Sequence, residues 1–284
     1  MKQGFRLRYG TSRRLTEITA GGATGRGPSC LCADEIWGRA LDLIARSEKI
    51  AVISGFYIPS ARAPETDGPP GAVVLARALS LLGRDVEVWT DSLCHDCFRA
   101  CGSSIGFSEG RVRNVSNDVR HSAGIDLFIY VERPGRASDG AYYNMRREDI
   151  TRWSAPLDRF ALEGSAPVLA IGDGGNEVGM GSLAGSLADL MPRYAPCLCV
   201  VGADVCIPVD VSNWGAYALV TAMSFMDGRW LGQSLEEDVR MLESLSSRGA
   251  VDGVTGMRGM SVDGLEICEH LRIRAELEGL LRAG

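Results

Sequence analysis

The sequence predicts an α/β protein built on a doubly wound, mostly parallel sheet, with helices on both faces and irregular insertions. Three observations predict it. Five short apolar segments rich in Val and Ile, at 49–54, 85–90, 125–131, 167–171 and 196–202, read as strands buried on both faces. Helix-length segments alternate with them, as crossovers between parallel strands require. Each strand candidate also runs into a polar loop rich in glycine or acid.

In chain order, residues 1–28 carry Lys2, Arg6, Arg8, Arg13, Arg14 and Arg26 against a lone Glu17. Their periodicity is poor, so they read as a flexible or loosely docked N-terminal arm, with a transit peptide as the alternative. Residues 29–284 read as one α/β domain. Its first helix, 35–47, puts Ile36, Ala40, Leu43 and Ile44 on one face. Segment 72–82 is apolar nearly all round and must pack between the sheet and another layer. Helices at 180–191 and 213–226 follow the fourth and fifth strands. Helix 235–247 stops before Gly249, a C′ glycine, and 262–282 forms the last helix. Segments 102–122 and 133–160 are weakly periodic and read as insertions or a lid.

Several function classes fall away. The charge is 30 minus 36, or −6, the wrong sign for a nucleic-acid surface. The longest apolar stretch, 195–203, stops at Asp204 and cannot span a bilayer. Nine cysteines, an odd number, point to reduced thiols and a cytoplasmic setting, or the mitochondrial matrix if the basic arm is a transit peptide. Cys94, His95, Cys97 and Cys101 form a soft-ligand cluster, but without a second CxxC free thiols are favoured over zinc. Gly179–Ala184 fits G-x-G-x-x-A, yet it lies past its strand and behind two carboxylates, so no nucleotide is expected. No G-x-S-x-G elbow directly follows a strand candidate, since Gly102–Gly106 and Gly106–Gly110 fit the letters only within a polar, weakly periodic stretch. His95, His121 and His270 lie outside the glycine-rich loops. The working acid or base is therefore expected to be a carboxylate.

The candidate chemistry gathers where strands end, because parallel strands bring their carboxyl ends to one rim. Asp173, Gly174, Gly175, Asn176 and Glu177 follow the fourth strand. The glycines let the backbone approach a ligand, and the two carboxylates supply hard oxygen donors. Helix N–H groups from about Met180 are expected to face the same pocket. Glu65 and Asp67 precede a second helix entrance, which Asp67 could cap. Ser212 and Asn213 open a third, and Asp252 sits in a turn or closing loop. Asp173, Glu177 and Glu65, with Asp67 as a further candidate, suit a divalent cation, manganese or magnesium. Backbone N–H groups with an arginine are the non-metal way to neutralise them.

These segments together resemble the D-glutamate cyclase-like domain family, the catalytic-type C-terminal domain of D-glutamate cyclase. The matching pieces are Gly55–Pro59, Glu65–Gly71, Gly135-Arg136 with Asp139-Gly140, and Tyr142–Arg146. Gly172–Glu177, Ser212–Tyr217 and Asp252–Gly256 complete them, so the resemblance spans about residues 35–272. It implies a cyclase converting D-glutamate to 5-oxo-D-proline and water, with Asp173, Glu177, Glu65 and Asp67 as catalytic candidates. Gly174, Gly175, Asn176, Arg136, Asn144, Ser212, Asn213 and Asp252 are the substrate-binding candidates. Arg136, or Arg146, is the expected partner of the substrate's α-carboxylate. The expected partner is a small amino acid, not nucleic acid or membrane, with room for a homo-oligomer. The alternatives are a metal enzyme acting on another carboxylated or phosphorylated metabolite, and a non-catalytic binding subunit.

Overall fold

The computed structural model describes residues 7–116 and 123–283. His121 and the first basic residues lie outside them. Six parallel strands form the central sheet: β1 (Lys49–Ser54), β2 (Asp85–Thr90), β3 (Val112–Asn114), β4 (Leu127–Val131), β5 (Val168–Gly172) and β6 (Val205–Pro208). Their spatial order is β3-β2-β1-β4-β5-β6. The chain thus winds outward from β1 in one direction, returns, and winds outward from β4 in the other. The result is the doubly wound α/β architecture that the sequence predicts.

Side chains alternate between two cores, as the period of two dictates. Ile50, Val52, Val86, Val88, Ile129 and Ile171 face the larger one. Ala51, Ile53, Trp89, Phe128, Tyr130 and Ala170 face the smaller. The larger core is closed by α1 (Tyr9–Thr19), α2 (Ile36–Arg46), α3 (Pro69–Leu81), α4 (His95–Ser104), α7 (Ser212–Asp227), α8 (Leu235–Ser247) and α9 (Ile267–Ala283). Helix α7 packs against α3, α9 and α2 and is buried nearly all round, which is why its sequence lacks a polar face. Two short helices, α5 (Arg159–Glu163) and α6 (Ala184–Leu190), lie on the smaller core.

Five points differ from the expectations. The fifth strand is β6, not 196–202. Pro196 lies in a 3₁₀ segment, and 199–202 pair with loops instead: Cys199 N–H donates to Gly175 O, Val200 N–H to Arg136 O, and Gly179 N–H to Val201 O. Cys197, Leu198, Cys199 and Val201 are apolar because they are buried there, while Val200 is exposed. The last helix begins at Ile267, since Ser261–Val262 and Leu265–Glu266 pair as a small hairpin around Asp263-Gly264. Residues 180–191 are also not one helix; a 3₁₀ turn at Gly181–Leu183 precedes α6. The described part of the expected arm is docked: α1 packs on α7 and α9, and Leu15 is fully buried. Finally, β3 is a short polar edge strand for which the sequence carries no apolar signal.

Candidate active site

The strand order reverses between β1 and β4, which opens a crevice at their carboxyl ends. A cavity of about 210 Å³ lies there. Phe56 comes to it from beyond β1, Glu132 from β4, and Asp173, Asn176 and Glu177 from beyond β5. Glu65, Asn144, Met145, Arg146, Gly253, Val254, Asp263 and Arg26 close it. Five carboxylates therefore face two guanidinium groups.

Each acid is held differently. Asp67, buried behind the cavity, accepts from Asn213 N–H (2.8 Å) and Ser212 N–H (2.9 Å). It thus satisfies the first turn of α7 and does not cap its own helix α3, which the sequence suggested it could, because Gly68 is the N-cap there and no side chain caps it. Ser212 Oγ donates to Glu132 Oε2 at 2.7 Å, and Asn213 Oδ1 accepts from Gly68 and Gly71 N–H. Ser212 and Asn213 therefore support the acids and do not line the cavity. Glu177 is fixed by Gly174 N–H and Gly175 N–H, each at 2.7 Å, one to each oxygen. Glu65 lies over Gly253, where a Cβ would come within 2.3 Å of Glu65 Oε2. Glu65 Oε1, Asp173 Oδ2, Asn176 Oδ1 and Asp263 Oδ2 are buried and have no hydrogen-bond partner among the described residues.

Oxygens of Asp67, Glu132 and Asp173 all lie within 4.8 Å of one another. Carboxylate oxygens around one ion at 2.0–2.6 Å sit at most about 5 Å apart, so these three fit a divalent cation. The trio differs from the one expected: Glu132 joins it, while both Glu177 oxygens are already bonded to backbone N–H groups. The 94–101 thiols form no comparable group; Cys94, at the N-cap of α4, and Cys97 and Cys101 on it are free and buried.

Burial drives the protonation of this site. It raises Asp67 to about 7, helped by the Asp263 charge. It lifts Glu65, Glu132 and Asp173 well above the ordinary carboxyl range, with neighbouring acids adding to the effect. Glu177 is raised too, despite its N–H partners.

Two further binding candidates, besides Ser212 and Asn213, do not line the cavity. Arg136 is outside the cavity, donating from Nε (2.7 Å) and Nη2 (3.0 Å) to the fully buried Asp158. Asp252 is the turn residue that the plainer expectation described, accepting N–H groups of Val254, Thr255 and Gly264. These bonds overcome burial and hold its carboxyl below the ordinary range. The N–H groups of Gly179 and Gly181 are spent on Val201 O, so this turn offers no anion site. A Cβ at Gly179 would come within 2.1 Å of Ala170 Cβ, which explains its glycine without a nucleotide.

The model of the family "D-glutamate cyclase-like, C-terminal" matches residues 15–278. The chain belongs to that family. It is 28% identical over 282 residues to the human protein "D-glutamate cyclase, mitochondrial", covering 83% of this chain and 46% of that one. The chain thus spans about half the length of the curated relative. It also superposes on an exopolyphosphatase-related protein from Bacteroides fragilis with a TM-score of 0.46 and 11% identity, over 88% of this chain and 58% of that one. That likeness is too loose to inform the chemistry.

For this D-glutamate cyclase-like chain, three charged cavity residues were not among the candidates, although Glu132 stands at a strand end of the rim where the sequence places the site. Glu132 follows β4 in the left-handed region, at φ 44°, an uncommon conformation for a glutamate. Asp263, at φ 56°, occupies a two-residue Asp-Gly turn, a signal present in the sequence. Arg26 reaches the site from between α1 and α2 and bonds Asp173 Oδ1 at 2.6 Å and Asp263 Oδ1 at 2.7 Å.

Proposed function

We propose that the chain cyclises D-glutamate to 5-oxo-D-proline and water. The observation that carries this reading is the pairing of unpartnered acceptors with an arginine in one small cavity. Glu65 Oε1, Asp173 Oδ2 and Asn176 Oδ1 seek donors. Arg146 lines the same cavity, and its guanidinium donates to carbonyl oxygens, Val254 O at 2.7 Å and Gly253 O at 3.4 Å, rather than to a carboxylate. An acidic amino acid offers an ammonium to the first set and a carboxylate to the second. Family membership and the name of the human relative support the same reading.

Lactam formation joins the amine nitrogen to the γ-carboxyl carbon and expels one oxygen as water. Glu65, made more basic by burial, is suited in its ionised form to take a proton from the ammonium. Glu65, once it carries that proton, is suited to return it to the leaving oxygen. Arg146 and the apolar wall of Phe56, Ile58 and Met145 would hold the substrate folded, so that less rotational freedom is lost on ring closure. Asp67, Glu132 and Asp173 are the residues suited to hold a divalent cation, which would supply Lewis-acid polarisation of the γ-carboxylate.

Chiral chromatography of D- and L-glutamate incubated with wild-type and Asp173→Asn protein tests the reading. Wild type should form the lactam, and the variant should lose orders of magnitude in turnover while staying folded. No lactam from either isomer with manganese or magnesium present would sink it. A melting-temperature response to phosphate esters but not to glutamate would favour another metabolite.

A further inference from the structure

We infer that Arg26 is a substrate-binding residue, a guanidinium that exchanges its two aspartates for a carboxylate of the incoming substrate. The inference rests on the reading above that the ligand is an acidic amino acid. The fold is organised to deliver this side chain. Gly22 and Ala23 N–H donate to Asp210 Oδ2 at 2.8 and 2.9 Å, and Asp210 N–H donates back to Thr19 O. Asp210 lies just beyond β6, so the connection after α1 is tied to the same rim of the sheet as the acids.

Arg26 bonds two carboxylates from separate segments, one per terminal nitrogen. Neither aspartate takes the planar fork in the bidentate manner that one carboxylate can. Both keep a second oxygen, Asp173 Oδ2 and Asp263 Oδ2, without a partner. The guanidinium is thus shared between acids that each have a further bond to make. A divalent cation on Asp67, Glu132 and Asp173 would take over the charge balance of Asp173 and loosen its hold on Arg26.

Position supplies the route. A second cavity, of about 450 Å³, is lined by Leu190, Met191, Arg193 and Tyr194, and Arg26 and Met145 line both this space and the acidic site. The side chain therefore stands at the partition between them. Arg146 would hold one carboxylate of the substrate inside, and Arg26 the other at the threshold.

Calorimetric titration with D-glutamate and melting curves, on wild type, Arg26→Met and Arg26→Lys, test the assignment. Arg26→Met should bind D-glutamate at least tenfold more weakly, and Arg26→Lys, which keeps the charge without the fork, should fall between. A structural Arg26 would instead lower the melting temperature and leave the affinity of the folded protein at the wild-type value. That outcome, or affinity within twofold of wild type in Arg26→Met, overturns the inference. If Arg26→Met does not fold, Arg26→Lys decides: an unchanged KM overturns it, and a raised KM with unchanged kcat supports it. Wild-type protein that neither binds nor cyclises D-glutamate would overturn the proposed function itself, and this inference with it.

Discussion

Gly68 stands so close to Glu132 that a methyl group on it would come within 3.0 Å of Glu132 Cβ and 2.9 Å of Ser54 Oγ. Gly68 has φ 99° and Glu132 φ 44°, so two unusual backbone conformations meet at the rim where the acids gather. Gly68→Ala should cost about 1–3 kcal/mol of stability through strain and contact. It should also lower turnover in the protein that remains folded, because Glu132 must move. Urea unfolding and activity measured together check this, and normal activity at reduced stability would detach Glu132 from the chemistry.

Arg136 should behave as a structural residue. Its ion pair with Asp158 is completed by Tyr142, whose hydroxyl donates to Asp158 Oδ1 at 2.6 Å. Burial alone would raise Asp158, yet these bonds hold it below the ordinary range. Arg136→Ala leaves that buried carboxylate short of donors. The melting temperature should fall by several degrees while KM for D-glutamate stays within twofold of wild type. A large KM increase without loss of stability would return Arg136 to the substrate.

The fold was legible where burial and periodicity agree. Segments 49–54 and 85–90 match β1 and β2 because β1 is buried on both faces after Lys49 and β2 carries Val86, Val88 and Trp89 in the cores. Residues 196–202 misled for a physical reason: a loop buried by other loops has the composition of a strand. Glu65, Asp173, Asn144, Asn176 and Glu177 were legible as cavity residues because acids and amides on glycine-rich turns stand out in a sequence. Glu132 was legible only as an acid at a strand end, since its role depends on a backbone twist just after β4. Arg26 had no local signal, as it lies 147 residues from the aspartate it bonds. Arg136 carried the right chemistry, but Asp158, which claims it, is 22 residues away in a weakly periodic stretch.

Stability without added metal should fall as pH rises from 5 to 8. Asp67 is lifted by burial from 3.8 to about 7, and Glu65, Glu132, Asp173 and Glu177 are lifted in the same sense. An acid whose folded pKa is raised stabilises the fold fully below its unfolded pKa and loses that contribution as pH passes through the folded value. For Asp67 the window runs from about pH 4 to about pH 7. Melting curves of chelator-treated protein at pH 5, 6, 7 and 8 should show the decline, and manganese at pH 8 should reverse it by binding the folded state. A melting temperature that climbs across this range would mean that these acids are ionised and compensated in the folded protein.

The cation set makes the last prediction. Asp67, Glu132 and Asp173 bring oxygens within 4.8 Å of one another, whereas Glu177 spends each oxygen on a backbone N–H of its own loop. Glu132→Gln should weaken manganese binding about 10–100-fold, the scale on which loss of a supporting carboxylate usually acts. Glu177→Gln should change manganese affinity far less. Its cost should appear as a lower melting temperature, because the amide can accept only one of the two N–H bonds and the Gly174–Gly175 turn loses its anchor. Calorimetry of metal-stripped variants separates the two residues. If Glu177→Gln abolishes binding while Glu132→Gln leaves it intact, the cation belongs to the loop after β5 and the trio at the β1–β4 crevice does not hold it.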